Sequence, residues 1–147
     1  MKCIMNGVEA MDGNFVVYKR RNNYYETDQM GIIHHSNYIR FFEEARLYMM
    51  KEFGLDYAGL EEMGIIIPVM SVDCKYIKPL HYDEQIDIYT KVTRFDDIKM
   101  DVEYESYRDG ELCTTGKSGH CFLDKQLKPF RMKKLYPDLY EKLNSIL

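Results

Sequence analysis

Tyr38-Ile39-Arg40-Phe41-Phe42-Glu43-Glu44-Ala45-Arg46-Leu47-Tyr48-Met49-Met50-Lys51-Glu52-Phe53 is the stretch that decides the fold. Tyr38, Phe41, Phe42, Ala45, Tyr48, Met49 and Phe53 recur at spacings of three and four, and Arg40, Glu43, Glu44, Lys51 and Glu52 fill the other side. That is the pattern of an amphipathic helix with one apolar stripe. Ser36 or Asn37 is placed to accept a first-turn N–H, and Gly54 suits the left-handed residue just past the end. Neither cap candidate has Glu or Gln three residues later, so no capping box forms there.

On either side of this helix the apolar period drops to two. Upstream, residues 15–22 read as a first strand centred on Val16, Val17 and Tyr18, which Tyr24-Tyr25 extend. Downstream, residues 56–63 read as a short second helix before Gly64. Val72, Cys74 and Tyr76 then alternate with polar neighbours up to Lys78-Pro79. Ile86, Ile88, Thr90 and Val92 alternate likewise, as do Met100, Val102 and Tyr104, with Asp96-Asp97 and Asp109-Gly110 as the turns. Residues 112–123 make a last strand, in which Gly116 and Gly119 mark close approach of a backbone or ligand. Leu139, Leu143 and Leu147 place a terminal helix over residues 136–147.

The order is strand, long helix, then four strands joined by tight turns. One apolar helix stripe against one antiparallel sheet gives an α+β fold, with five or six strands wrapped around the helix. Edge strands remain to be covered, and pairing two subunits edge to edge covers one on each.

Composition bounds the function. The 147 residues are 46% hydrophobic and 30% charged, which fits one domain over residues 1–147 that buries roughly 70% of its unfolded surface. A net charge of −4 supplies no general attraction to nucleic acid or to an anionic membrane. No apolar run approaches the roughly 20 residues of a membrane span, and nothing in residues 1–15 reads as a secretory signal, so a cytoplasmic setting is expected. Four cysteines without a CxxC pair read as reduced thiols. Adjacent His34 and His35 point their side chains apart and no closed-site spacing occurs, so neither a metal nor a cofactor is expected. Thirteen tyrosines, seven phenylalanines and no tryptophan supply ring surface suited to strands and subunit interfaces. Dinucleotide, phosphate-loop and Gly-x-Ser-x-Gly motifs are absent.

The polar segment Tyr24-Tyr25-Glu26-Thr27-Asp28-Gln29-Met30-Gly31-Ile32-Ile33-His34-His35-Ser36-Asn37-Tyr38 joins the first strand to the helix. Gly31 permits a positive φ that bends the chain toward the helix start, where first-turn N–H groups are unpaired donors at the positive end of the dipole. An acyl carbonyl over that helix end would find donors for its developing oxyanion, each worth about 2.7–4 kcal/mol. Asp28 would serve as general base for water or as a carboxylate nucleophile. On spacing alone the commoner fate of such an aspartate is a bond to its own backbone.

The run Tyr25-Glu26-Thr27-Asp28-x-x-Gly31, then His35-x-x-Tyr38, then Phe42-Glu43-x-Ala45-Arg46, resembles the signature of hotdog-fold acyl-CoA thioesterases of the 4-hydroxybenzoyl-CoA thioesterase/YbgC-like family. The likeness extends over roughly residues 18–129 and includes Tyr76-x-x-Pro79. It implies hydrolysis of an acyl thioester to free acid and thiol. The implied catalytic residues are Asp28 as the carboxylate, the His35 N–H as the oxyanion donor and Gly31 as the turn between them. It also implies assembly as a homodimer or homotetramer with the site at a subunit interface. Tyr24, Ile33, Tyr38 and Phe42 are candidates to line the acyl pocket. Where other members carry a Tyr-His pair, this chain has His34-His35.

Competing readings stay in view. Glu43 and Glu44 offer helix carboxylates of the kind a related hotdog branch uses, against the commoner fate of solvation or pairing with Arg46. The basic run Lys125, Lys128, Arg131, Lys133, Lys134 suits coenzyme A phosphates or an acyl carrier protein, or is a solvated terminus. A hotdog acyl-CoA sensor without turnover, and an acyl-carrier-protein thioesterase, are the alternatives to an acyl-CoA thioesterase.

Overall fold

The computed structural model describes residues 3–5, 8–10 and 15–147. A short antiparallel pair comes first, β1 (Cys3–Met5) and β2 (Val8–Ala10), too brief for any alternation to reveal. Then follow β3 (Val16–Arg21), a 3₁₀ turn (Tyr24–Glu26), α1 (Asn37–Glu52) and α2 (Tyr57–Glu62). Strands β4 (Val69–Tyr76), β5 (Gln85–Phe95), β6 (Lys99–Arg108) and β7 (Glu111–Cys121) lead to α3 (Met132–Leu135) and α4 (Pro137–Ser145). The main sheet has the order β3-β5-β6-β7-β4, every neighbour antiparallel. This is the expected α+β architecture, with five strands and one long helix. No helix among the described residues is long and apolar enough to cross a membrane.

The alternating strands bury the side chains that the pattern marks. Ile86, Ile88, Met100 and Val102 are fully buried and join Phe41, Phe42, Ala45 and Met49 of α1 in one core. Each such large side chain contributes about 1.5–3 kcal/mol. Asp109 and Gly110 both take positive φ, the backbone of a tight β6–β7 hairpin turn. Gly54, φ 73°, sits just past α1 as its spacing implies. Gly116 decides how closely helix and sheet approach. A Cβ there would lie 2.2 Å from the Phe42 ring, and Phe42 stacks on Tyr104 at 4.5 Å. The close approach foreseen at Gly116 is therefore made by the helix itself.

Three local expectations are corrected. Tyr24-Tyr25 do not extend β3, because Glu26 Oε1 accepts the Asn23 N–H at 2.7 Å and winds them into the 3₁₀ turn. Neither Ser36 nor Asn37 caps α1 with its side chain. The Ser36 N–H donates to His34 Nδ1 at 3.1 Å, and Asn37 Nδ2 donates to the Glu26 carbonyl at 2.8 Å. β4 alternates as expected yet buries neither face, since it is paired on one edge only and lies at the end of the sheet.

Candidate active site

The segment between β3 and α1 is held by one arginine. Arg20, from β3, donates to both oxygens of Glu26 at 3.1 and 2.9 Å, to Glu44 Oε2 of α1 at 2.8 Å, and to Asn22 Oδ1 at 3.0 Å. Its guanidinium also lies 3.7 Å from the centre of the Phe41 ring. With Glu26 fixed, its carbonyl accepts from the His34 N–H at 2.9 Å and from Asn37 Nδ2, which draws the end of the loop against the helix start. Spacing alone did not reveal this clamp. The Asn23-x-x-Glu26 pair was its legible signal.

Within the loop, Asp28 and Gly31 build the turn. The Gly31 N–H donates to the Asp28 carbonyl at 3.0 Å, and Gly31 takes φ 81° with open space where a Cβ would stand. Its requirement is conformational rather than steric. Half-buried Asp28 accepts the Met30 N–H on Oδ1 at 2.8 Å, the self-bonding expected of an aspartate at a turn. Its Oδ2 has no partner among the described residues.

At the start of α1 the amides are spent unequally. Those of His34, Ser36 and Asn37 donate to the Glu26 carbonyl, His34 Nδ1 and the His34 carbonyl. The His35 N–H has no acceptor among the described residues. The His35 carbonyl is held from the other side by the Tyr76 hydroxyl at 2.9 Å. The His34 and His35 rings stack at 4.1 Å instead of diverging, because the chain is already turning into the helix and adjacent side chains no longer fall on opposite faces.

Asp28 and His35 line one cleft of ≈ 360 Å³, with Ile33, Tyr38, Tyr76 and Lys78 also in its wall. Burial pushes the Tyr38 hydroxyl up to about 12, so it is a neutral wall of the cleft at any physiological pH. Lys78, which the sequence analysis passed over, is the cation of this cleft and pairs with Glu111 at 2.9 Å. Ile33 and Tyr38 thus line the same cleft as Asp28 and His35, while Gly31 shapes the turn beside it. Tyr24 and Phe42 do not line this cleft. Tyr24 is 75% exposed against Tyr82, and Phe42 is sealed in the core by Tyr104. Glu44 is taken up by Arg20, and Glu43 makes no ion pair with Arg46.

A model of the thioesterase-like superfamily matches residues 23–143. A Bacillus subtilis (strain 168) protein, provisionally named acyl-CoA thioesterase YneP, is 37% identical over 124 residues, covering 81% of this chain and 90% of its own. The acyl-CoA thioester hydrolase YbgC of Escherichia coli is 30% identical over 71 residues, covering 48% of this chain and 53% of its own. Among solved structures, the DHNA-CoA thioesterase of Staphylococcus aureus superposes with a TM-score of 0.86 at 33% identity, covering 90% of each chain. The family model spans most of the chain, and the relative and the solved structure each cover more than four fifths of it; this chain belongs to the thioesterase-like superfamily, with its hotdog fold.

Proposed function

We propose that this protein is an acyl-CoA thioesterase whose reaction runs in the Asp28–His35 cleft. The observation that carries the reading is an unspent amide, the His35 N–H, at the start of a 16-residue helix and in the same cleft as a carboxylate with a free oxygen. With the thioester carbonyl oxygen on that amide, negative charge built up by attack meets a fixed donor and the positive helix end. Asp28 either takes a proton from the attacking water or attacks itself, forming an anhydride that water then opens. In both routes the C–S bond breaks and the thiolate leaves. Gly31 sets the turn that brings carboxylate and amide to one side, and Ile33 and Tyr38 form apolar wall for the acyl group.

The exposed apolar residues of β4 support assembly as a homodimer through that edge. Val69, Met70, Val72 and Tyr76 are each 40–66% exposed on a strand with one free side, a liability that pairing with a second copy removes. Sedimentation equilibrium is expected to give twice the chain mass of 17.6 kDa, or four times if dimers pair further.

Thiol release from matched acyl-CoA and acyl-carrier-protein substrates tests the reading. Wild type is expected to turn over acyl-CoA, and Asp28→Asn to lose about 10²- to 10⁴-fold, with its melting temperature nearly unchanged because asparagine still accepts the Met30 N–H. Turnover of carrier-protein substrates alone would change the carrier. Acyl-CoA binding without any turnover would make the protein a sensor, and full activity in Asp28→Asn would remove Asp28 from the mechanism.

A further inference from the structure

Charge is spread unevenly along this chain, and a sharp excess lies past the sheet. Residues 125–135, between β7 and α4, hold five of the 20 lysines and arginines and none of the 24 aspartates and glutamates. The net charge of −4 hides this local excess. Lys125, Lys128, Arg131, Lys133 and Lys134 are all exposed, and of these only Arg131 forms an ion pair among the described residues, with Asp97 at 3.7 Å. The Lys133 ammonium lies 5.5 Å from the centre of the Tyr140 ring, which leaves Lys125, Lys128, Lys134 and the 70% exposed side chain of Arg131 facing water. The flanking acids do not cancel them. Asp124 turns its Oδ1 onto the N–H groups of Gln126 and Lys128 at 2.9 and 3.0 Å, and Asp138 lines a groove between α2 and α4 with Lys142.

Two leucines stand out among these cations, Leu127 and Leu135, 66% and 56% exposed. Leu127 holds φ 62° in the turn closed by Asp124 and Lys128, a left-handed backbone that suits glycine. The turn therefore keeps a large apolar side chain in water on a conformation that disfavours it. Beneath, the segment is fixed. Met132 is fully buried, Phe130 packs on Tyr136 at 5.6 Å, and the Tyr136 hydroxyl donates to the Met63 carbonyl at 3.0 Å.

Cations and isolated leucines on one short, anchored segment match the surface of an anionic bilayer, where phosphates take the cations and the headgroup layer takes the apolar tips. A protein partner of ordinary size contacts about 20–30 residues a side, more than this segment supplies. We propose that residues 125–135 dock the protein on an anionic phospholipid membrane, with Lys125, Lys128, Arg131 and Lys134 on lipid phosphates and Leu127 and Leu135 in the headgroup layer. None of these residues lies on β4 or lines the Asp28–His35 cleft, and the inference stands whatever reaction that cleft performs.

Co-sedimentation of the full chain with vesicles of phosphatidylcholine, alone or mixed with phosphatidylglycerol, tests it. Binding is expected only to the mixed vesicles and is expected to fall as sodium chloride rises, since salt screens the attraction. Lys128→Gln and Lys134→Gln should each weaken it about fivefold, the worth of one cation near an anionic surface. Leu127→Gly should weaken it about threefold or more while relieving the left-handed backbone. Lys117→Gln, on β7 within the sheet, should leave it unchanged. Equal sedimentation with both vesicles, no binding to either, or binding that survives the two glutamine substitutions together would overturn the proposal. So would binding to polyglutamate without binding to the mixed vesicles, which would assign the segment to an acidic protein instead.

Discussion

Helix α1 carries polar chemistry in two places, and the protein handles them in opposite ways. At its first turn His34, His35 and Ser36 are exposed or half-buried, the loop is tied down by main-chain carbonyls, and the His35 N–H has no acceptor among the described residues. Three turns on, Arg46, Tyr104, Ser118 and His120 are sealed in the core and bonded mainly to one another. A donor left open beside a cleft costs little, because water satisfies it until a ligand arrives. A donor left open in the core costs its full desolvation. Changes at the first centre should therefore move turnover with little effect on stability, and changes at the second should do the reverse.

The sharpest break of that contrast is at position 35. His35→Pro removes the amide donor and is expected to lower thiol release by about 10²- to 10³-fold. His35→Ala keeps the amide and should stay within about threefold, losing only the stack on His34. Circular dichroism of both variants checks that α1 persists. A severe loss in His35→Ala would assign the work to the imidazole instead.

The core centre should declare itself in pH dependence. Burial, reinforced by Arg46, lowers the His120 pKa to about 4 from the usual value near 6.5. The folded state thus binds fewer protons than the unfolded chain between these values. Stability from this group is fully present above about pH 6.5 and is lost as pH falls toward 4, at up to about 1.4 kcal/mol per unit and about 3 kcal/mol in all. Urea unfolding of His120→Gln against wild type from pH 7 to 4 is expected to show this slope flattened.

Tyr104→Phe comes next. It leaves Arg46 Nη1 without its acceptor and takes the Tyr104 partner from Ser118, at a cost of about 1–3 kcal/mol in chemical denaturation. The smallest effect is expected at Ser36→Ala, within about 0.5 kcal/mol. A side-chain cap would be worth about 1 kcal/mol, but the Ser36 hydroxyl caps nothing and bonds only His34 Nδ1, at 2.8 Å on the exposed surface.

Much of this was readable from residue order, for physical reasons that also mark where reading stopped. Strands β5 and β6 alternate because each has neighbours on both edges and a helix over one face, so Ile86, Ile88, Met100 and Val102 had to be buried. β4 shows the same alternation with Val72 and Tyr76 at 40% and 51% exposure, because alternation reports a pleated strand and not what covers it. Phe42 illustrates the same limit. Its place on the helix stripe suits core and cleft equally, and Gly116, 74 residues on, makes it core. The bond between Arg20 and Glu44 joins residues 24 apart, beyond any local pattern. In the loop, turn chemistry at Asp28 and Gly31 was local and therefore visible. The stacking of His34 on His35 depended on backbone direction and was not.

The Arg20 clamp carries one more consequence. A lysine there would conserve the charge, yet a single ammonium cannot reach Glu26, Glu44 and Asn22 together as a flat fork does. The segment would then lose its hitch to the helix while the fold beneath it stayed whole, and the damage would surface as a wandering backbone around residues 24–37 in hydrogen exchange. The geometry of the proposed reaction centre is thus set by a residue of β3, a strand that lines none of its cleft.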